Sequence, residues 1–138
     1  MVLTRERLQI FIPVRRRTLP VNAHDESSIS ARVRYAEPEP IRKAVRDYVR
    51  DLRDGHPEIR SIRWFGSWVR GDAGVGSDVD LCIIVEGSDM PRRDRTADFS
   101  PRVFPVGIDL FVYTQAEFDA LRTEHPSMRK AIDAGIEV

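Results

Sequence analysis

A small domain that mixes helices with strands is what this sequence predicts, and three observations predict it. Ile41, Val45, Tyr48, Val49 and Leu52 recur at helical spacing. Three β-type apolar runs follow, at 59–65, 78–85 and about 103–113. Two further helical stretches close the chain. The 138 residues suit one ordinary domain, and 41% apolar content supports a modest core.

The first 35 or so residues show no sustained helical or strand period. Leu8-Gln9-Ile10-Phe11-Ile12 has the character of a short strand, which Pro13 interrupts. Arg15-Arg16-Arg17 is read as a solvated basic run, with phosphate contact as the sharper reading. Residues 1–36 are therefore expected to be an irregular arm or extension, and 37–138 the functional domain. Glu37-Pro38-Glu39-Pro40 makes a good helix entry, because proline suits the first turn and acids there complement the helix dipole. The helix is predicted over 40–54, with Gly55-His56-Pro57 stopping it. His56 is expected in an exposed loop.

Ile59–Phe65 reads as a strand ended by Gly66-Ser67, with Trp68-Val69-Arg70 opening a short helix. Residues 71–77 form a loop of glycine and small residues. Residues 78–85 make the second strand and 86–91 a turn. The polar stretch 92–101 receives no assignment. Pro105 hints at an edge or bulge near the start of the third strand. Helices are predicted over about 115–123 and 127–134, with Gly135 as a helix C-cap and Ile136-Glu137-Val138 as a last strand.

Composition removes several classes of function. Basic and acidic residues balance at 22 each, so net charge gives no nucleic-acid or membrane signal. The single cysteine, Cys82, sits in an apolar run and is expected to be buried and inert. No stretch approaches the roughly 20 apolar residues of a membrane span. No secretory pattern opens the chain, and a cytoplasmic location is the expectation.

The chemistry concentrates in three aspartates. Asp78 and Asp80 follow Gly66-Ser67 after ten residues and open the run Leu81-Cys82-Ile83-Ile84-Val85. Asp109 stands between Ile108 and Leu110. Acids at i and i+2 of a strand share a face. A third carboxylate on a neighbouring strand would make a cluster of like charges, tolerable only beside a cation. Oxygen-only ligands favour Mg²⁺ or Mn²⁺. Gly66 allows close backbone approach, and Ser67 offers a hydroxyl and an N–H to an anion. Asp-x-Asp by itself is usually a turn or an exposed strand. Two unpaired charges inside apolar strands, however, call for a shared explanation.

The stretch Trp64-Phe65-Gly66-Ser67-Trp68-Val69-Arg70-Gly71, continued by Gly76-Ser77-Asp78-Val79-Asp80-Leu81, resembles the signature of the polymerase-beta-like nucleotidyltransferase superfamily. It is most similar to the small, stand-alone minimal nucleotidyltransferases of prokaryotes. Gly107-Ile108-Asp109-Leu110 matches the place of that family's third acidic strand. The resemblance covers 38–138. It implies an α+β fold, a short mixed β-sheet with helices packed on one face and a site open on one side. It implies two Mg²⁺ sites (Mn²⁺ as substitute) held by Asp78 and Asp80, with Asp109 as third carboxylate, metal ligand or general base. Gly66 and Ser67 would hold the triphosphate. Arg70 would contact phosphate or, equally, pair with Asp72. Ser77 would touch nucleotide or only brace the loop. Trp68-Val69 departs from the small residue common there, narrowing the pocket or adding core packing.

The implied activity is transfer of a nucleoside monophosphate, AMP from ATP, to an acceptor with release of pyrophosphate. Similar proteins are antitoxins that adenylylate a tyrosine of an all-helical HEPN-type toxin, so a partner protein is the expected acceptor. A non-catalytic partner-binding module and a small-molecule nucleotidyltransferase are the alternatives. A homo-oligomer is also open, and Trp64, Phe65, Trp68 and Phe104 would leave an apolar patch for a partner to cover unless they fill the core, the preferred reading for Phe65.

Overall fold

A computed structural model describes residues 38–138. The expected arm, with its strand at 8–12 and its basic triplet, lies outside the described residues. Helix α1 (Pro38–Gly55) starts on its proline, carries Glu39 in the first turn and Arg53 in the last, and buries Ile41, Val45, Val49 and Leu52. Each such aliphatic burial contributes roughly 1.5–3 kcal/mol. On the wet side, Lys43–Asp47 (2.5 Å) and Arg46–Glu39 (2.9 Å) are exposed ion pairs. Each adds at most about 1 kcal/mol.

The remaining elements are β1 (Ile59–Phe65), α2 (Ser67–Arg70), β2 (Val79–Val85), α3 (Arg92–Phe99), β3 (Ile108–Thr114), α4 (Gln115–Glu124), α5 (Pro126–Asp133) and β4 (Ile136–Glu137). The sheet order is β3-β2-β1-β4. β1 runs antiparallel to β2 and β4, while β2 and β3 are parallel. A parallel pair needs a crossover, and α3 with its flanking loops supplies it. The α+β class and the short mixed sheet thus stand as expected.

The helices, expected on one face, cover both. Ile62, Trp64, Val79, Leu81, Ile83, Val85 and Val112 pack with the apolar stripe of α1. Phe65, Cys82, Ile84 and Tyr113 pack with Phe118, Leu121 and Ile132 of α4 and α5. Side chains alternate along a strand, so a β2 that is apolar at nearly every position must be covered twice. Cys82 is buried in the second layer, and burial pushes its thiol up to about 12.

Several expectations change. Within the unassigned 92–101 stretch, Arg92–Phe99 is a helix whose Arg95 and Phe99, one turn apart, both face inward. Arg95 forks onto Glu117 at 2.5 and 3.1 Å and donates to the Met90 carbonyl at 2.8 Å. Strand β3 starts at Ile108 rather than near 103. Proline 105 has no N–H for a ladder, and Phe104 and Pro105 are instead buried in the loop. The edge reading holds, since β3 is the outer strand. His56 is half-buried, its ring 4.4 Å from that of Phe99 and its Nδ1 2.9 Å from Glu58 Oε1.

Gly135 is not a left-handed cap. Ala134 caps α5, and among the described residues only Gly66, Gly71 and Gly76 have positive φ. A Cβ at 135 would lie 2.7 Å from Phe65 Cβ, so glycine serves close packing of α5 on β1. Trp64, Phe65, Trp68 and Phe104 are all core, so these aromatics leave no exposed patch for a partner to cover. No described helix is long and apolar enough to cross a membrane.

Candidate active site

Where β1 ends and β2 and β3 begin, the sheet gathers the predicted acids. Asp80 pairs with Asp109 across the parallel strands, and Phe65 is its partner on β1. Partners in a parallel register share a face, so the Asp80 and Asp109 side chains lie on the side of Cys82 and Phe111. Asp78 stands one residue before β2. The Val79 amide donates to the Gly107 carbonyl at 2.8 Å, which ties the starts of the two acid-bearing strands.

The three carboxylates sit in unequal surroundings. Asp78 and Asp109 are exposed, and Asp80 is half-buried. Burial lifts the Asp80 carboxyl above its ordinary range, and the charges of Asp109 and Asp78 add to the lift while Arg70 opposes it. That coupling places all three acids, and the Arg70 cation, in one electrostatic neighbourhood. No described group donates a hydrogen bond to any of the three carboxylates.

Gly66 holds the sharpest local requirement. Its φ of 82° and ψ of −159° belong to a region essentially restricted to glycine. A Cβ there would overlap Asp80 Oδ2 and lie 3.0 Å from Asp80 Cγ. Glycine at 66 thus turns the chain out of β1 and leaves the space that Asp80 fills. The sequence suggested close approach at this position. What approaches is a carboxylate of the chain itself.

The loop between α2 and β2 is braced from within. The Ser77 hydroxyl accepts from the Gly74 amide at 2.8 Å, and the Ser77 carbonyl accepts from the Trp68 indole at 3.1 Å. The Ser77 hydroxyl thus braces this loop. Trp68 is buried, and of its two readings core packing is the one observed. It also clamps the loop that delivers Asp78, a function its bulk alone did not signal. Arg70 is exposed and its Nε lies 3.3 Å from Asp72 Oδ2. Ser67 opens α2 and is partly buried beside Gly66.

Carboxylate oxygens are hard donors, suited to Mg²⁺ or Mn²⁺. The mutual repulsion at Asp80 is the feature a cation would relieve. Among the described residues, however, no three His, Cys, Asp or Glu groups are close enough to hold a metal ion by themselves. The three carboxylates are not a complete ligand set on their own. An ion held there through Asp78, Asp80 and Asp109 would draw its remaining oxygens from substrate and water, a common arrangement for Mg²⁺. A cleft of about 490 Å³ between α1 and the 98–105 segment contains none of these acids. Its lining, which includes Tyr48, His56, Asp98 and Phe104, shares no residue with the acid site.

Comparison with known proteins bears on the same stretch. The model of the nucleotidyltransferase domain family matches residues 42–134, which include every acid and glycine of this site. No curated protein matches the chain. A solved structure from Sulfolobus solfataricus, provisionally described as a nucleotidyltransferase, is 24% identical with a TM-score of 0.49. It covers 59% of this chain and 74% of its own, and at that level adds nothing to the family match.

Proposed function

Because the chain belongs to the nucleotidyltransferase domain family, we propose that it moves a nucleoside monophosphate, AMP from ATP, to a hydroxyl on a partner protein in a Mg²⁺-dependent reaction. The observation that supports this best is the side-by-side placement of Asp80 and Asp109 on parallel strands, with Asp78 next to them. Asp78 and Asp80 would hold the cation, and Asp109 would complete its surroundings or accept the acceptor's proton. When bound, the ion neutralises the triphosphate and assists ionisation of the attacking hydroxyl.

The chain's own residues supply the rest. Gly66 and Ser67 lie beside Asp80 and present backbone and hydroxyl to the phosphates. Arg70 adds positive charge near the leaving group. The acceptor oxygen bonds to the α-phosphorus, the bond from that phosphorus to pyrophosphate breaks, and pyrophosphate departs with the bonding electrons. The hydroxyl proton passes to Asp109. Asp109 is exposed on an edge strand, so an acceptor as large as a folded protein can reach it.

An all-helical toxin of the HEPN type is the partner this reading favours, with the chain as its antitoxin. Incubation with labelled ATP, Mg²⁺ and the protein encoded beside it tests this. Label on a partner hydroxyl amino acid is expected, and no transfer to any neighbouring protein with any nucleotide overturns the antitoxin assignment. A second reading, a non-catalytic binding module, draws on the absence, among the described residues, of a group of three such side chains able to hold a metal ion. Asp78→Asn separates the two. Catalysis predicts lost transfer with partner binding kept, whereas a binding module predicts unchanged neutralisation.

A further inference from the structure

We propose that Gly107 is a positioning residue whose missing side chain seats the Asp78 carboxylate. The inference rests on the cation-holding role proposed above for Asp78. Gly107 lies in the loop just before β3, and its carbonyl accepts the Val79 amide at 2.8 Å. Residue 107 is therefore pinned across from residue 78 where the parallel ladder begins, with Val79 opposite Ile108 as its first pair.

Nothing in the backbone at 107 calls for glycine. Its φ is not positive, in contrast to Gly66, Gly71 and Gly76. Neither does core packing, because the residue is exposed. The nearest obstacle to a side chain is Asp78. A Cβ at 107 would overlap Asp78 Oδ1 and lie 2.7 Å from Asp78 Cγ. The three atoms nearest that point all belong to Asp78, the third at 3.4 Å. By comparison, a Cβ at Gly55, Gly71, Gly76 or Gly87 would meet nothing within 4 Å.

The physical consequence is specific. Alanine at 107 is compatible with the local backbone, and the group it displaces is the mobile end of an exposed aspartate. The fold survives and the carboxylate swings away. No described hydrogen bond holds Asp78 Oδ1 or Oδ2, so the empty volume over Gly107 is what selects its direction. Gly66 does the same for Asp80. Two loops that enter from different strands thus each contribute a glycine to shape one acid.

The test uses four proteins: wild type, Gly107→Ala, Asp78→Ala and the double variant. Mn²⁺ binding is followed by electron paramagnetic resonance in the presence of a non-hydrolysable ATP analogue. Gly107→Ala should weaken Mn²⁺ binding by on the order of tenfold or more, the scale at which misoriented metal surroundings act. Its circular dichroism and Tm should match wild type. The double variant should bind no worse than Asp78→Ala. Wild-type affinity in Gly107→Ala, or an equal loss in the Asp78→Ala background, overturns the proposal. Asp78 side-chain couplings measured by NMR decide the matter without metal. A rotamer changed by Gly107→Ala upholds the seat even if wild type binds no Mn²⁺, a result that would defeat only the metal-dependent reading. An unchanged rotamer overturns the seat.

Discussion

The two ends of β3 are built on opposite principles. At its start, Asp109 stands beside Asp80 and near Asp78, with no described hydrogen bond to any of these carboxylates. At its finish, Thr114 accepts from the Glu117 amide at 3.2 Å while Glu117 accepts from the Thr114 amide at 2.9 Å. Glu117 also receives both prongs of the buried Arg95. One end leaves neighbouring like charges without hydrogen-bond partners among the described residues, the other matches a cation, an anion and a helix cap. A seven-residue strand therefore separates charge kept available for chemistry from charge consumed by the fold. Repulsion at the first end lowers stability, and the satisfied network at the second offsets it.

The largest expected effect breaks the active end alone. Asp78→Asn or Asp109→Asn should reduce nucleotide transfer by on the order of 10³-fold, since a cation's charge stabilisation is worth several kcal/mol. Circular dichroism and partner binding should remain as in wild type. Retained transfer would remove the carboxylates from the mechanism. Gly66→Ala strikes both the backbone and Asp80. It should cost about 1–3 kcal/mol in urea unfolding and abolish transfer in the same assay. An unchanged midpoint would show that residue 66 can leave its present φ and ψ.

The structural end sharpens the contrast through pH. Arg95 holds the Glu117 carboxyl below its ordinary range, first by direct hydrogen bonding. The stability this gives is present above the ordinary value of 4.5 and is lost as pH falls through the lowered one. Glu117→Gln should therefore cost about 2 kcal/mol at neutral pH, less than a fully buried pair because Glu117 is one-third exposed. It should also flatten the acid limb of the stability curve. A parallel acid limb in the variant would assign that pH dependence elsewhere. The smallest effect concerns Arg70, whose exposed pair with Asp72 should matter by less than about 0.5 kcal/mol. Arg70→Ala should instead raise the nucleotide KM several-fold with kcat little changed. An unmoved KM would leave Asp72 as its only partner.

How legible the molecule was in its sequence differs by element. Strand β1 was readable to the residue at 59–65, and α1 was readable from its apolar spacing and its prolines. Helix α3 was not, because one of its two inward side chains is an arginine whose partner, Glu117, lies 22 residues away. A buried charge has no apolar period to announce it. Trp68 likewise read as a departure from a pattern, and only its 3.1 Å contact with Ser77 shows it as a clamp.

The sequence by itself determined the family, the three acids, and the glycine turn before them, because those depend on residue type and spacing along the chain. Tertiary structure alone decided that Asp80 lies level with Asp109, that both faces of the sheet are covered, and that Gly107 makes room for Asp78. The physical reason is that parallel pairing joins segments nearly thirty residues apart. Nothing local to either segment sets which residue of one lies beside which residue of the other.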